Sequence, residues 1–333
     1  MCMLNTTIYE IAEKAGVSTS TVSRVINNYP YIKKETREKV QKILKEFKYI
    51  PNDTARSLVN KSSRMIGVLI SDIRTTHYTE GVYYIQQEFS EKGYSCLIYN
   101  TGTDPEKQAS YIQLLRQRKV EAVILIGSIY QNDAVQNAIN ETIPNIPVVL
   151  CNGMLSGDNI YNIITDERSG VCEAVRILTE KGRRHLFFIN NHITPSNTMK
   201  AEGFMEGIRK YCSDGTGNVI ISGDSIDEIA VATKNLLSSH PETDGIIFSE
   251  DFMALVGLHT LYELSISVPD QVAVFGLNNS SYAKFSIPPL SSIDNMLYDT
   301  SMLAVRSILD VLDGKRVTKT IKIEPEIVER KTT

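Results

Sequence analysis

No stretch of the 333-residue chain approaches the roughly 18 consecutive apolar residues of a membrane-spanning helix. Nor does its N-terminus carry a basic segment followed by an apolar run, the mark of a secretory leader. No membrane association is therefore expected, and a cytoplasmic location is. Cysteine is scarce: Cys2, Cys96, Cys151, Cys172 and Cys212 are odd in number and form no C-x-x-C pair. That excludes a zinc framework or a secreted disulfide scaffold and favours reduced thiols. The five histidines (His77, His185, His192, His240, His259) show no metal-ligand spacing, so no metal is expected. Catalytic signatures are missing as well. There is no G-x-G-x-x-G after the first apolar run, only Gly215-Thr216-Gly217 further on, and no Walker loop, H-E-x-x-H or G-x-S-x-G. A binding protein without a cofactor is expected, not an enzyme.

What is present begins with charge. The net charge of −4 conceals a split: residues 1–64 hold 12 Lys/Arg against 6 Asp/Glu, and the other 269 hold 23 against 33. A basic head on an acidic body points to phosphate contact by the head alone. Length suggests two or three domains, and a hydrophobic content of 42% provides ample core.

Within the head, Thr7-Ile8-Tyr9-Glu10 reads as a capping box, followed by Ile8, Ile11, Ala12 and Ala15 at helical spacing. A turn at Gly16 leads to Ser18, which can cap a second helix. That helix places Thr19, Ser20, Ser23, Arg24 and Asn27 on one face and Val22, Val25 and Ile26 on the other. The polar face suits the DNA major groove, where side chains read base edges. A third helix follows, with Val40, Ile43, Leu44 and Phe47 as its apolar stripe and Lys39, Lys42, Lys45 and Lys48 elsewhere on it. Helix, glycine turn and helix form the helix-turn-helix pattern. After Pro51, Asn52 can cap a very short helix to about Val59, too short to be stable in water and expected to order on DNA.

The run from Ile8 through Val17-Ser18, Thr21-Val22-Ser23-Arg24-Val25-Ile26-Asn27, Tyr49-Ile50-Pro51-Asn52 and Ala55-Arg56-Ser57-Leu58 resembles the lactose/galactose repressor (LacI/GalR) family of bacterial transcription regulators. The likeness is dense through Leu58 and looser to the C-terminus. It implies a helix-turn-helix headpiece at 1–51, a hinge helix and linker at 52–64, and an effector-binding and dimerisation core at 65–333. It also implies DNA contacts at Thr7, Ser18, Thr19, Ser20, Thr21, Ser23, Arg24 and Asn27, and at Asn52, Ala55, Arg56 and Leu58 in the hinge. There the Leu58 side chain is expected to wedge into the minor groove and kink the duplex.

From Met65 the rhythm becomes strand, loop, helix. Apolar runs at 66–70, 96–99, 122–126 and 148–150 alternate with helical patterns, and the beat resumes at 186–189, 219–221, 245–248 and 272–275. Such runs predict parallel sheets covered on both faces, here two sheets in two lobes. Ligands bind beyond the carboxyl ends of such strands, hence in a cleft between the lobes. The doubled α/β architecture resembles the periplasmic sugar-binding proteins. By that resemblance the chain crosses between lobes near Ile163, Ile293 and Ile321, giving lobe one 65–162 and 294–320, and lobe two 163–293 and 321–333.

Strand-end loops supply the candidate effector contacts: Asp72, Arg74, His77 and Tyr78, then Ser128, Asn152, Asn191, His192, Glu250, Asp251, Asn278 and Asn279. The resemblance adds Lys200. Sugar-responsive members commonly carry Asp at the position of Asn152, Arg at Lys200, Asn at Glu250 and Asp at Asn278, so the usual hexose pattern is expected to change. Lys200 and Glu250 could instead bridge one another. Arg74 and His77 leave an anionic effector such as a sugar phosphate open, against a solvated Arg74 at the rim.

The reading is a DNA-binding transcriptional regulator, a repressor controlled by a small carbohydrate-like effector and bound as a homodimer to an inverted-repeat operator of double-stranded DNA. A nucleoside or purine co-repressor is an alternative effector. The rivals from other classes are a transport-type solute-binding protein and a dehydrogenase.

Overall fold

The computed structural model describes residues 7–26, 29–47, 49, 62–212 and 214–333, in two compact units, 1–63 and 64–333. In the first, α1 (Ile8–Ala15), α2 (Thr19–Ile26) and α3 (Lys34–Glu46) surround one small core. The capping box forms as the sequence predicts: the Thr7 N–H donates to Glu10 Oε2 at 2.8 Å, and Thr7 Oγ1 accepts from the Glu10 N–H at 3.4 Å. Gly16 ends α1 at φ +62°, a left-handed conformation that glycine adopts without steric cost. Ser18 Oγ then accepts from the Thr21 N–H at 3.2 Å and starts α2. Ile11, Ala12, Ala15, Val22, Val25 and Val40 are buried together, with Ile43, Leu44 and Phe47 packed against them.

The second unit holds two six-stranded sheets. Its first run is β1 (Met65–Ile70), α4 (Thr76–Glu91), β2 (Ser95–Asn100), α5 (Pro105–Gln117), β3 (Ala122–Ile126), a single 3-10 turn at Ser128–Tyr130, α6 (Asp133–Thr142), β4 (Val148–Cys151) and β5 (Ile160–Thr165). The second run is α7 (Glu167–Glu180), β6 (His185–Asn190), α8 (Pro195–Tyr211), β7 (Thr216–Ile221), α9 (Ile226–Ser239), β8 (Gly245–Phe248), α10 (Asp251–Glu263), β9 (Ala273–Leu277), α11 (Ser281–Phe285) and β10 (Ser291–Asp294). The chain then returns through α12 (Leu297–Leu312) and β11 (Thr320–Ile323) and ends past β12 (Glu326–Val328). The sheet orders are β11-β5-β4-β3-β1-β2 and β12-β10-β9-β8-β6-β7. Every pairing is parallel except β10 with β12. Each sheet is apolar on both faces because helices cover both, which is why β3, β4, β8 and β9 read as unbroken hydrophobic runs.

The crossings fall a few residues later than expected. Ile163 pairs with Cys151 and Ile321 with Ile163, so both belong to the first sheet, whose strands continue to Thr165 and Ile323. The reason is the β5–β11 ladder, which runs to the pair Thr165–Ile323 before either strand leaves. The three passages therefore lie at Asp166, at Asn295-Met296 and at Glu324-Pro325. They are bonded to one another. The Asp166 N–H donates to the Ile323 carbonyl at 2.9 Å, Lys322 Nζ lies 2.5 Å from Asp166 Oδ2, and Thr165 Oγ1 donates to the Asn295 carbonyl at 2.8 Å.

In the second lobe α7 and α8 cross closely at Gly203, where a Cβ would lie 2.2 Å from the Arg168 carbonyl oxygen. Among the described residues no helix is long and apolar enough to cross a membrane.

Candidate functional site

On α2, Ser18, Ser20 and Arg24 are exposed, Thr19, Thr21 and Ser23 partly so, and Val22 and Val25 buried beneath them. Ser18 Oγ lies 2.7 Å from Ser20 Oγ and 2.9 Å from Thr21 Oγ1, so three hydroxyls meet at the start of the helix. The Arg24 guanidinium stands 5.7 Å from the centre of the Tyr29 ring, leaving its N–H fork on the surface. Lys33, Lys34, Lys39, Lys42 and Lys45 are exposed on and just before α3. Thr7 is exposed at the start of α1. Asn27, Asn52, Ala55, Arg56 and Leu58 lie outside the described residues.

In the second unit twelve of the thirteen candidate effector residues, all but Asn279, line one cleft between the lobes. Its outer part, about 760 Å³, is bordered by Asp72, Arg74, His77, Tyr78, Glu250 and Asn278 among others. It narrows to an inner chamber of about 80 Å³ that His77, Tyr78, Glu250 and Asn278 also reach, joined by Ser128, Asn152 and Lys200. These residues come from strand ends and first helical turns of both lobes, where the α/β topology places them. Gly127, at φ +113°, lets Tyr78 approach: a Cβ there would lie 2.9 Å from the phenol oxygen.

The inner chamber is held by a buried polar network. Lys200 Nζ, on α8, lies 3.1 Å from Asn197 Oδ1, 3.3 Å from the Ser249 carbonyl and 3.5 Å from Glu167 Oε1. Glu167, 2% exposed, also accepts from the Ser196 hydroxyl and from Asn152 Nδ2 at 3.4 Å. Asn152 sits at φ +60° with its Oδ1 taking the Thr165 N–H at 3.1 Å. Ser128 Oγ accepts the Ser196 N–H at 3.1 Å, a direct bond from one lobe to the other. Asn278, at φ +104°, accepts from Asn295 Nδ2 at 2.8 Å.

Two expectations change here. Lys200 pairs with Glu167 and not with Glu250. Arg74 is bound by Asp72 at 2.7 Å with its side chain 87% exposed, so it stands in solvent at the rim and lends the anionic-effector alternative no support. Glu167, Ser196, Asn197 and Asn295 are site residues the sequence reading passed over. Glu167 directly follows Asp166, which caps α7, and that capping position was the available signal.

Burial dominates the electrostatics. It pushes the Tyr78 phenol up to about 12 and, with the Lys200 charge second, brings the His77 imidazole down to about 4. It also raises Glu250 above the usual carboxylate range, with Lys200 opposing. The Arg74 hydrogen bond holds Asp72 below that range. Asp251 is pushed up to about 6 by burial, although it accepts from the Ser280 N–H and from the Ser280 and Ser292 hydroxyls. Among the described residues no group of His, Cys, Asp and Glu is placed to hold a metal ion.

The family described as bacterial regulatory proteins, lacI family, matches residues 7–52, and the periplasmic binding protein-like domain matches residues 175–333. An HTH-type transcriptional regulator of Lachnoclostridium phytofermentans is 30% identical over 98% of this chain and 99% of its own. The ribose operon repressor of Halalkalibacterium halodurans is 30% identical over 98% and 97%. Among solved structures, the lac repressor dimer bound to operator and the anti-inducer ONPF superposes with a TM-score of 0.88 over 99% of both chains at 23% identity, a likeness of fold. With a regulator 30% identical along essentially its whole length, the chain belongs to the lacI family of bacterial regulatory proteins and is a transcriptional regulator, not an enzyme.

Proposed function

We propose that this DNA-binding regulator is a cytoplasmic repressor. It binds an inverted-repeat operator as a homodimer and is controlled by a small carbohydrate-like effector between its lobes. The headpiece is assigned to 1–51, the hinge to 52–64 and the effector core to the rest. The observation that carries the DNA reading is α2 itself, a helix buried on one side and lined on the other by hydroxyls and one guanidinium. Thr19, Ser20 and Arg24 read bases in this assignment, while the lysines of α3 meet phosphates. The effector contacts are Asp72, Arg74, His77, Tyr78, Ser128, Asn152, Lys200, Glu250 and Asn278.

The Ser128–Ser196 bond supports coupling, because it forms only when the lobes are near one another. An effector that prefers one lobe arrangement shifts the protein toward it. By linkage, effector and operator then change each other's affinity by the same factor.

The test starts from duplexes selected from a random pool and follows their binding by fluorescence anisotropy at several salt concentrations. Arg24→Ala should relax preference at one base pair per half-site, a loss of ~1–3 kcal/mol of discrimination. A selected consensus identical to that of the parent would remove Arg24 from base reading.

A further inference from the structure

Hydrogen-bond accounting in the inner chamber leaves acceptors in excess. Lys200 has three N–H groups, and Asn197 Oδ1, the Ser249 carbonyl and Glu167 Oε1 surround its nitrogen within 3.5 Å. Its charge is balanced by Glu167, both side chains being almost fully buried. At the outer rim Arg74 is held by Asp72, and His192 Nε2 lies 2.9 Å from Asp224. Asp251 is satisfied by Ser280 and Ser292.

Glu250 remains. It stands at the N-terminus of α10 without a side-chain capping bond, reaches both parts of the cleft, and has the Asn191 side chain as its hydrogen-bond partner. A further atom points the same way. Asn295, 2% exposed, lines the inner chamber with an Oδ1 that has no donor. Formal charge in the chamber is one cation, Lys200, against two carboxylates, Glu167 and Glu250. With a neutral ligand the Glu250 carboxylate is buried without a cation of its own, a cost reflected in the upward push that burial gives it, and an anion adds to that cost. A ligand ammonium compensates it and brings the missing donors.

We infer that the effector is a polyhydroxylated amine of the amino-sugar class, its ammonium received by Glu250 and a hydroxyl donated to Asn295. The inference rests on the cleft being the effector site, as proposed above. A charge-assisted hydrogen bond of this kind is worth about tenfold or more in affinity over its neutral counterpart.

The experiment is calorimetry on the full chain near neutral pH with matched pairs: glucosamine and glucose, galactosamine and galactose, mannosamine and mannose, with glucose 6-phosphate as the anion. At least one amine should bind about tenfold more tightly than its neutral partner. Glu250→Gln, nearly isosteric, should abolish that preference, bringing each amine to the affinity of its neutral partner in the same variant. Asn295→Asp, which adds a second acceptor charge, should widen it. The inference falls if no amine outbinds its neutral counterpart, if glucose 6-phosphate binds more tightly than glucosamine, or if the preference survives Glu250→Gln. Operator binding is followed in the same preparations. A neutral sugar or phosphate that alters operator affinity sinks the amine and leaves the effector site standing. Loss of specific operator binding by the parent sinks the regulator reading instead.

Discussion

Asp251 carries a pH dependence of its own. It is 1% exposed, and its pKa of about 6 lies above the ordinary 3.8 because burial penalises the charged form. A raised folded-state pKa means that the contribution to stability is fully present below pH 3.8 and is lost as pH rises through about 6. A rise from 3.8 to about 6 corresponds to about 3 kcal/mol. His77 runs the other way: with its pKa lowered to about 4, its contribution is present above pH 6.5 and lost as pH falls through about 4. The two windows overlap and oppose each other. Urea midpoints of the parent and Asp251→Asn, compared at pH 3.5 and pH 7, isolate the Asp251 part. The variant should gain on the parent by about 3 kcal/mol between the two, and a constant difference would refute the assignment. Positions such as Asp251 and Asn278 were legible in the sequence because polar residues directly after an apolar strand fall at the cleft. For Glu167 the Asp166 cap marks where α7 begins but not that the next side chain is buried, since a carboxylate opening a helix is more often solvated than locked in a buried pair.

At the scale of elements, signals with a local cause were the readable ones. The capping box at Thr7, the Gly16 turn and the apolar β runs each follow from neighbouring residues. The start of α8 has a local cause too, Thr194 as its cap followed by Pro195 at the first helical position. What escaped was non-local. In β10, Ser291-Ser292-Ile293-Asp294, three serine or isoleucine positions are buried because distant groups satisfy the hydroxyls: Ser292 donates to Asp251 at 2.6 Å, and Ser291 Oγ lies 2.8 Å from Thr333 Oγ1. No apolar run announces such a strand. The α7–α8 crossing is likewise invisible in sequence but testable. Gly203→Ala would press a methyl against the Arg168 carbonyl, and overpacking of this kind costs ~1–3 kcal/mol. Thermal melting should show the loss in the core transition, and an unchanged midpoint would mean that the two helices separate freely.

For the whole molecule, the basic head and acidic body, the two units and the doubled α/β beat were readable because each is a property summed over many residues. The crossings lie two or three residues beyond Ile163, Ile293 and Ile321, because the end of a strand is decided by its neighbour's ladder. Those crossings have a mechanical consequence. A single flexible connection would let one lobe tilt, twist and slide. Three connections bonded side by side through Asp166, Asn295 and Lys322 act as a hinge pin and leave one soft degree of freedom. The relative pose of the lobes then reduces to one angle. Two interlobe distances measured by electron spin resonance between labels on different parts of the rim should lengthen in a fixed ratio, whatever ligand is present. Distances that vary independently would mean that the pin is loose. With one angle, different ligands can differ only in how far along the same arc they hold the lobes, so the protein reads ligand chemistry as a position on a dial.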